Sequence, residues 1–138
     1  MPQPDQPQIV LLSVDECLPL RQQVLWPDRD ISFSRVEGDE QAQHFGIRER
    51  EQLICCLSVF ACSDNRFQIR KFATAIGYQG RGLGTHLLRA VLNTLKDTQV
   101  VLDARLSASA FYQRFGFIPV AETFYKSDIA FIRMQLTP

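Results

Sequence analysis

Hydrophobic residues in this chain fall into short runs whose spacing changes from element to element. Ile9-Val10-Leu11-Leu12 has the length and apolarity of a buried strand. Leu18, Val24 and Leu25 then fall near one face of a helix that Asp15 can cap and Pro27 ends, with Pro19 tolerable only in its first turn. Asp28 to Glu40 is polar apart from Ile31, Phe33 and Val36. It reads as a loop or partly helical crossing that borders a site. Ala42 to Glu49 alternates weakly, a charged turn follows at Arg48 to Glu51, and the continuous apolar run Leu53 to Ala61 fits a strand covered on both faces. After a turn at Asp64-Asn65, Arg66 to Ile76 forms a further strand leading straight into glycines.

The second half begins with the clearest helix. Leu83, Leu87, Leu88, Val91, Leu92 and Leu95 recur at helical spacing in one broad stripe. Gln99 to Leu102 is a short buried strand. Ser107 to Phe115 is a second helix, with Ser107 as N-cap and Gly116 letting the chain reverse. Phe117 to Val120 extends again and Ile129 to Leu136 closes the chain as a strand. This order predicts an α/β (α+β) fold, a mixed central sheet of about six to seven strands with helices on both faces.

Composition narrows the function classes. A 138-residue chain that is 46% hydrophobic supports one domain, here residues 9–138 after a loose polar tail at 1–8. Fifteen basic and fifteen acidic residues cancel, so no global charge draws the protein to nucleic acid or to a membrane. Cys17, Cys55, Cys56 and Cys62 show no C-x-x-C spacing and read as buried reduced thiols. No apolar run has membrane-spanning length, and a cytoplasmic protein is expected.

The candidate chemistry lies in Gly77-Tyr78-Gln79-Gly80-Arg81-Gly82-Leu83-Gly84-Thr85, where an extended run breaks into glycines and becomes a helix. Glycines here let backbone N–H groups converge on an anion at the helix start, so the stretch reads as a phosphate cradle. A Walker A loop would need a lysine before Thr85, and a dinucleotide fingerprint would need glycine at Thr85 or Leu87, so both of those nucleotide readings are disfavoured. The spacing Gln79-x-x-Gly82-x-Gly84 instead resembles the pyrophosphate motif of the GNAT acetyltransferase superfamily. About thirty residues on, Ala104-Arg105-Leu106-Ser107-Ala108-Ser109-Ala110-Phe111-Tyr112, ending in Phe115-Gly116-Phe117, looks like that family's other cofactor segment. Leu20 to Pro27 is also similar to the first helix of some small bacterial members.

The resemblance implies a GNAT fold, acetyl-CoA as co-substrate, and transfer of the acetyl group to a primary amine by direct attack in a ternary complex. It implies that Phe72, Ala73 and Thr74 lie along the pantetheine arm, and that Gln79, Gly80, Arg81, Gly82, Leu83, Gly84 and Thr85 surround the pyrophosphate. Tyr112 would stand beside the sulfur as general acid, against the plainer reading of a packed aromatic. Arg105, which the resemblance places with Tyr112 among the cofactor-binding residues, stands where many relatives carry an Asn that helps orient cofactor or substrate, and Phe131 where similar chains often have His. The strand Arg66 to Ile76 holds no Asp or Glu, so the family's usual carboxylate base is missing. His44 is the candidate base by titration range. Glu37, Asp39 and Asp103 are weaker candidates, and water or an already neutral amine needs no base. No metal is expected. The acceptor is a small-molecule or protein amine, the protein a monomer or homodimer, and the alternative function is a non-catalytic acyl-CoA-binding module.

Overall fold

The protein, represented by a computed structural model that describes residues 7–138, is organised around one eight-stranded sheet. The tail expected at 1–8 lies mostly outside the described residues; at its end, the Pro7 carbonyl meets His86 Nε2 at 2.8 Å. Strands β1 (Ile9–Leu12), β2 (Gln43–Glu49), β3 (Gln52–Ala61) and β4 (Arg66–Thr74) form an antiparallel meander. β5 (Gln99–Arg105) joins β4 in parallel after helix α2 (Leu83–Thr94). Beyond a short helix α3 (Ser109–Gln113), β6 (Ile118–Pro119) and β7 (Phe124–Lys126) each pair with β8 (Ile129–Leu136), which is antiparallel to β5. β7 is the strand that the apolar pattern did not predict, because two of its three residues are exposed.

β3 is buried from Ile54 through Val59 because helices cover both of its faces. Ser58 points to Arg21 on helix α1 (Val14–Leu25), whereas Cys55 meets Thr74, which lies against Gly84 of α2. The fully buried residues of α1 are Val14, Cys17, Leu20 and Arg21; of the expected stripe, Val24 and Leu25 pack partly buried against the core at the end of the helix.

Local capping also differs from expectation. Ser13, not Asp15, opens α1: its Oγ accepts from the Glu16 N–H at 3.2 Å, while its own N–H donates to Glu16 Oε1 at 2.8 Å. Pro19 sits past the first turn, where it leaves the Asp15 carbonyl without its helical donor, and the helix nonetheless runs on to Leu25. The expected second-half helix splits into a 3-10 turn at Leu106–Ala108 and α3, with no side-chain cap from Ser107. Gly116 does take the left-handed conformation that reverses the chain, at φ 99°. Of the four cysteines, all free, Cys62 is exposed rather than buried.

Candidate active site

The site starts from a defect in the sheet. Between Cys56↔Ala73 and Ser58↔Arg70, two steps on β3 are matched by three on β4, so one extra residue bulges out and Lys71 adopts φ 57°. On its other side β4 pairs with β5 only from Arg66↔Gln99 to Ile69↔Leu102. Beyond Ile69 the two parallel strands separate, and the edge of β4 from Arg70 to Thr74 has no ladder partner in β5. Phe72, Ala73 and Thr74 therefore lie where an extended ligand could add to the sheet. Arg105 ends β5 across the opening. Its Nη2 donates to the Leu25 carbonyl at 2.8 Å and its guanidinium lies 6.0 Å from the Trp26 ring, so it ties the end of α1 to the site.

The glycine loop connects β4 to α2. Gly80 and Gly82 both have φ 80°, and a Cβ on either would meet no atom within 4 Å, leaving open space above the loop. Gly82 is the N-cap of α2, no side chain caps that end, and Leu83, Gly84 and Thr85 supply the first-turn N–H groups. Gly84 differs from its neighbours: a Cβ there would lie 3.4 Å from Phe72 Cζ and 3.7 Å from Thr74 Oγ1. These are ordinary contact distances, so Gly84 faces β4 rather than the cradle. Gln79 Nε2 donates to the Thr74 carbonyl at 3.1 Å, and the Arg81 guanidinium rests 4.8 Å from the Tyr78 ring centre. The loop is thus pinned to the strand it follows.

A cavity of about 430 Å³ occupies the gap between β4 and β5. It is walled by Leu25 and Trp26, by Phe33 and Val36 of the 28–40 crossing, by Gln68 to Phe72 and Leu102 to Arg105, and by Tyr112 and Phe131. Tyr112 packs against Phe72, Phe111 and Phe117 with ring centres 5.1–6.4 Å apart. Among the described residues its hydroxyl has no hydrogen-bond partner, and burial pushes the phenol up to about 12.

His44 does not belong to this cavity. It is 4% exposed, with Nδ1 2.6 Å from Ser58 Oγ and Nε2 2.9 Å from the Asp39 carbonyl oxygen. The carbonyl can only accept, so Nε2 carries the proton and Nδ1 takes the Ser58 hydroxyl. Both nitrogens are committed to the protein, which corrects the expectation of a catalytic base. Asp39 is likewise buried, on Arg21. Glu37 is exposed and outside the cavity wall. Asp103 lines the cavity, but both its oxygens are taken by Arg133, at 2.8 and 3.1 Å.

Lys71 is the cavity residue that sequence reasoning missed. Burial first, then the positive charges of Arg70, Arg21 and Lys126, bring its amine down to about 8 from 10.5. The available signal is two consecutive cations, Arg70 and Lys71, in the middle of a strand that holds no carboxylate. Between pH 8 and 10.5 the unfolded chain binds more protons at this site than the folded one, so stability rises with pH through that window. Lys71→Met is expected to abolish that rise and to stabilise the protein at pH 7 by about 1 kcal/mol, after discounting for the amine's partial exposure. Thermal unfolding at pH 7 and pH 10 measures both effects.

Among the described residues, no group of three or more His, Cys, Asp or Glu side chains could hold a metal ion, and no helix is long and apolar enough to cross a membrane. Residues 28–138 match the model of the acetyltransferase (GNAT) domain family. Curated protein sequences yield no match. Among solved structures, an acyl-CoA N-acyltransferase from Pseudomonas aeruginosa superimposes with a TM-score of 0.82 at 21% identity, over 94% of this chain and 98% of that one. Escherichia coli ElaA gives 0.81 at 22% identity, over 94% and 98%. A Bacillus subtilis acetyltransferase in complex with CoA gives 0.71 at 17% identity, over 96% and 99%. These likenesses establish the fold.

Proposed function

Because the chain belongs to the GNAT acetyltransferase family, we propose that it transfers an acetyl group from acetyl-CoA to a primary amine by direct attack in a ternary complex. The observation that carries this reading is the meeting, through Phe72, of an uncapped helix N-terminus behind left-handed glycines with a cavity in a splayed sheet. The residues fit acetyl-CoA. The open space over Gly80 and Gly82 accommodates a pyrophosphate, and the N–H groups of Leu83, Gly84 and Thr85, with the partial positive charge of the helix end, hold it. Arg81 adds a cation. The unpaired edge of β4 at Phe72 to Thr74 offers backbone groups to the amides of a pantetheine arm, as a sheet edge does to an added strand.

Acetyl-CoA supplies an activated acyl thioester, and the rest falls to this chain. A backbone N–H of the β4 edge near Phe72 to Thr74, left without a partner in β5, polarises the thioester carbonyl. Tyr112, held protonated by burial, donates its hydroxyl proton to the departing sulfur. Trp26, Phe33 and Val36 give the cavity an apolar wall on the side on which the amine enters. Asp103, the carboxylate in the cavity wall, is bound to Arg133, so the amine enters neutral or loses its first proton to solvent, and the proton its nitrogen releases as the amide forms passes through solvent to the Tyr112 phenolate, restoring the hydroxyl.

The test follows free thiol while the protein is incubated with acetyl-CoA and a panel of amines. Thiol release that requires an amine supports transfer; tight acetyl-CoA binding without release for any amine supports the non-catalytic module. Gly82→Val is expected to weaken CoA at least tenfold by calorimetry, because a branched side chain strains a left-handed residue and enters the cradle. An unchanged affinity in the folded variant removes the cradle assignment.

A further inference from the structure

The cavity carries charge of one sign. Arg70, Lys71, Arg105 and Lys126 all contribute to its wall, and the single carboxylate there, Asp103, has both oxygens bound to Arg133. In a protein whose acidic and basic residues balance at fifteen each, this excess is local rather than compositional. Three of the four cations already have a partner: Arg105 donates to the Leu25 carbonyl, Arg70 lies 5.3 Å from the Phe60 ring centre, and Lys126 Nζ lies 5.0 Å from the ring centre of Phe131 in the same wall. Lys71 and Lys126 have no carboxylate partner among the described residues. Both line the same cavity, and the charge of Lys126 adds to the burial and the neighbouring arginines that depress the Lys71 amine. Two ammonium groups facing one space without an anion between them are destabilising as they stand. The wall contributed by Trp26, Phe33 and Phe131 is aromatic.

We propose that the acceptor is a small amine that also bears a carboxylate on an apolar body, and that Lys71 and Lys126 together hold this carboxylate. The proposal rests on reading the cavity as the site of acetyl transfer. It excludes polyamines and other polycations as preferred acceptors, since a second ammonium would lie beside Lys71 and Lys126 with no free acid to receive it. A bound carboxylate restores the Lys71 amine toward its ordinary value. Binding near pH 8 is therefore accompanied by proton uptake, a signature that a lysine of merely structural role would not give.

The anion site can be probed without the amine. Titration of 3-phenylpropionate into the CoA-loaded protein at pH 8, in two buffers of different ionisation enthalpy, is expected to show binding at least tenfold tighter than 3-phenylpropionamide, with proton uptake. Lys71→Met, which relieves a buried charge and so folds, is expected to abolish both the preference and the uptake. Equal binding of acid and amide, absence of binding by the acid, or a preference that survives in Lys71→Met overturns the proposal. Thiol release separates it from the reading beneath. If L-phenylalaninamide or spermidine releases thiol faster than L-phenylalanine, transfer stands and the carboxylate site falls. If the acid binds as described but no amine releases thiol, the carboxylate site stands and transfer falls.

Discussion

Asp39→Ala is expected to lower the unfolding free energy by about 3–5 kcal/mol, the range found when one partner of a buried ion pair is removed. Asp39 takes both terminal nitrogens of Arg21, each at 2.9 Å, and accepts the Val36 N–H at 2.8 Å. The two side chains are 0% and 1% exposed. Without the carboxylate, the guanidinium would keep only the Ser34 carbonyl and Ser58 hydroxyl as close partners, with its Nε already unsatisfied. Burial raises the Asp39 pKa, but the hydrogen bonds from Arg21 and the Val36 N–H outweigh it and hold the carboxyl below its usual value. The pair's contribution is therefore present above about pH 4 and is lost as pH falls below it. Denaturant midpoints at pH 7 and pH 3 should show a large gap between wild type and Asp39→Ala at the first pH and a smaller one at the second. Arg21→Met combined with Asp39→Ala is expected to recover most of the loss, since no stranded charge remains. A double variant as unstable as Asp39→Ala alone would show that the damage lies elsewhere.

This cluster is also what connects the fold to the acceptor side of the cavity. Arg21 on α1 reaches the Ser34 carbonyl and Asp39, at two points of the crossing that supplies Phe33 and Val36 to the cavity wall. His44 and Ser58 close the network from the sheet. At temperatures where Asp39→Ala is still folded, its KM for the amine should rise more than its KM for acetyl-CoA. The glycine loop proposed to hold the latter joins β4 to α2 and does not touch the cluster.

The same residues mark where sequence reasoning succeeds and where it stops. The run Leu53 to Ala61 read as a strand covered on both faces because Ser58 alone interrupts its apolar residues, and the structure buries Ile54 to Val59 while Ala61 at its end is exposed. The glycine loop was legible because the left-handed backbone at Gly80 and Gly82 leaves few choices of residue. Charged residues with buried partners were not legible. Val14, Cys17, Arg21 and Val24 recur at helical spacing, and an arginine on an otherwise apolar stripe was the available sign of an internal ion pair. Its partners lie eighteen and twenty-three positions away, at Asp39 and His44, so His44 read as an isolated titratable group free for catalysis. Lys71 escaped for a related reason: it faces the cavity from a bulge, and a bulge is set by pairing with β3 rather than by composition.

Tyr112→Phe is expected to reduce kcat by at least about 10²-fold while leaving the KM for acetyl-CoA within a few-fold, the pattern of a lost general acid. The substitution isolates the hydroxyl, because the packing of the ring on Phe72, Phe111 and Phe117 does not depend on it. Stability should change little for the same reason. With the phenol pushed up to about 12, the acid stays protonated through any practical assay range. The wild-type rate should therefore climb with pH as more of the amine becomes neutral, then hold level up to about pH 10, with no alkaline fall from an acid titrating at the ordinary tyrosine value near 10. Acetyl donors with better thiol leaving groups should narrow the difference between Tyr112→Phe and wild type, since a sulfur that leaves readily as thiolate needs no proton. Full activity in Tyr112→Phe with acetyl-CoA would return the residue to plain aromatic packing, and an equal deficit for every donor would assign the hydroxyl to orientation rather than proton transfer.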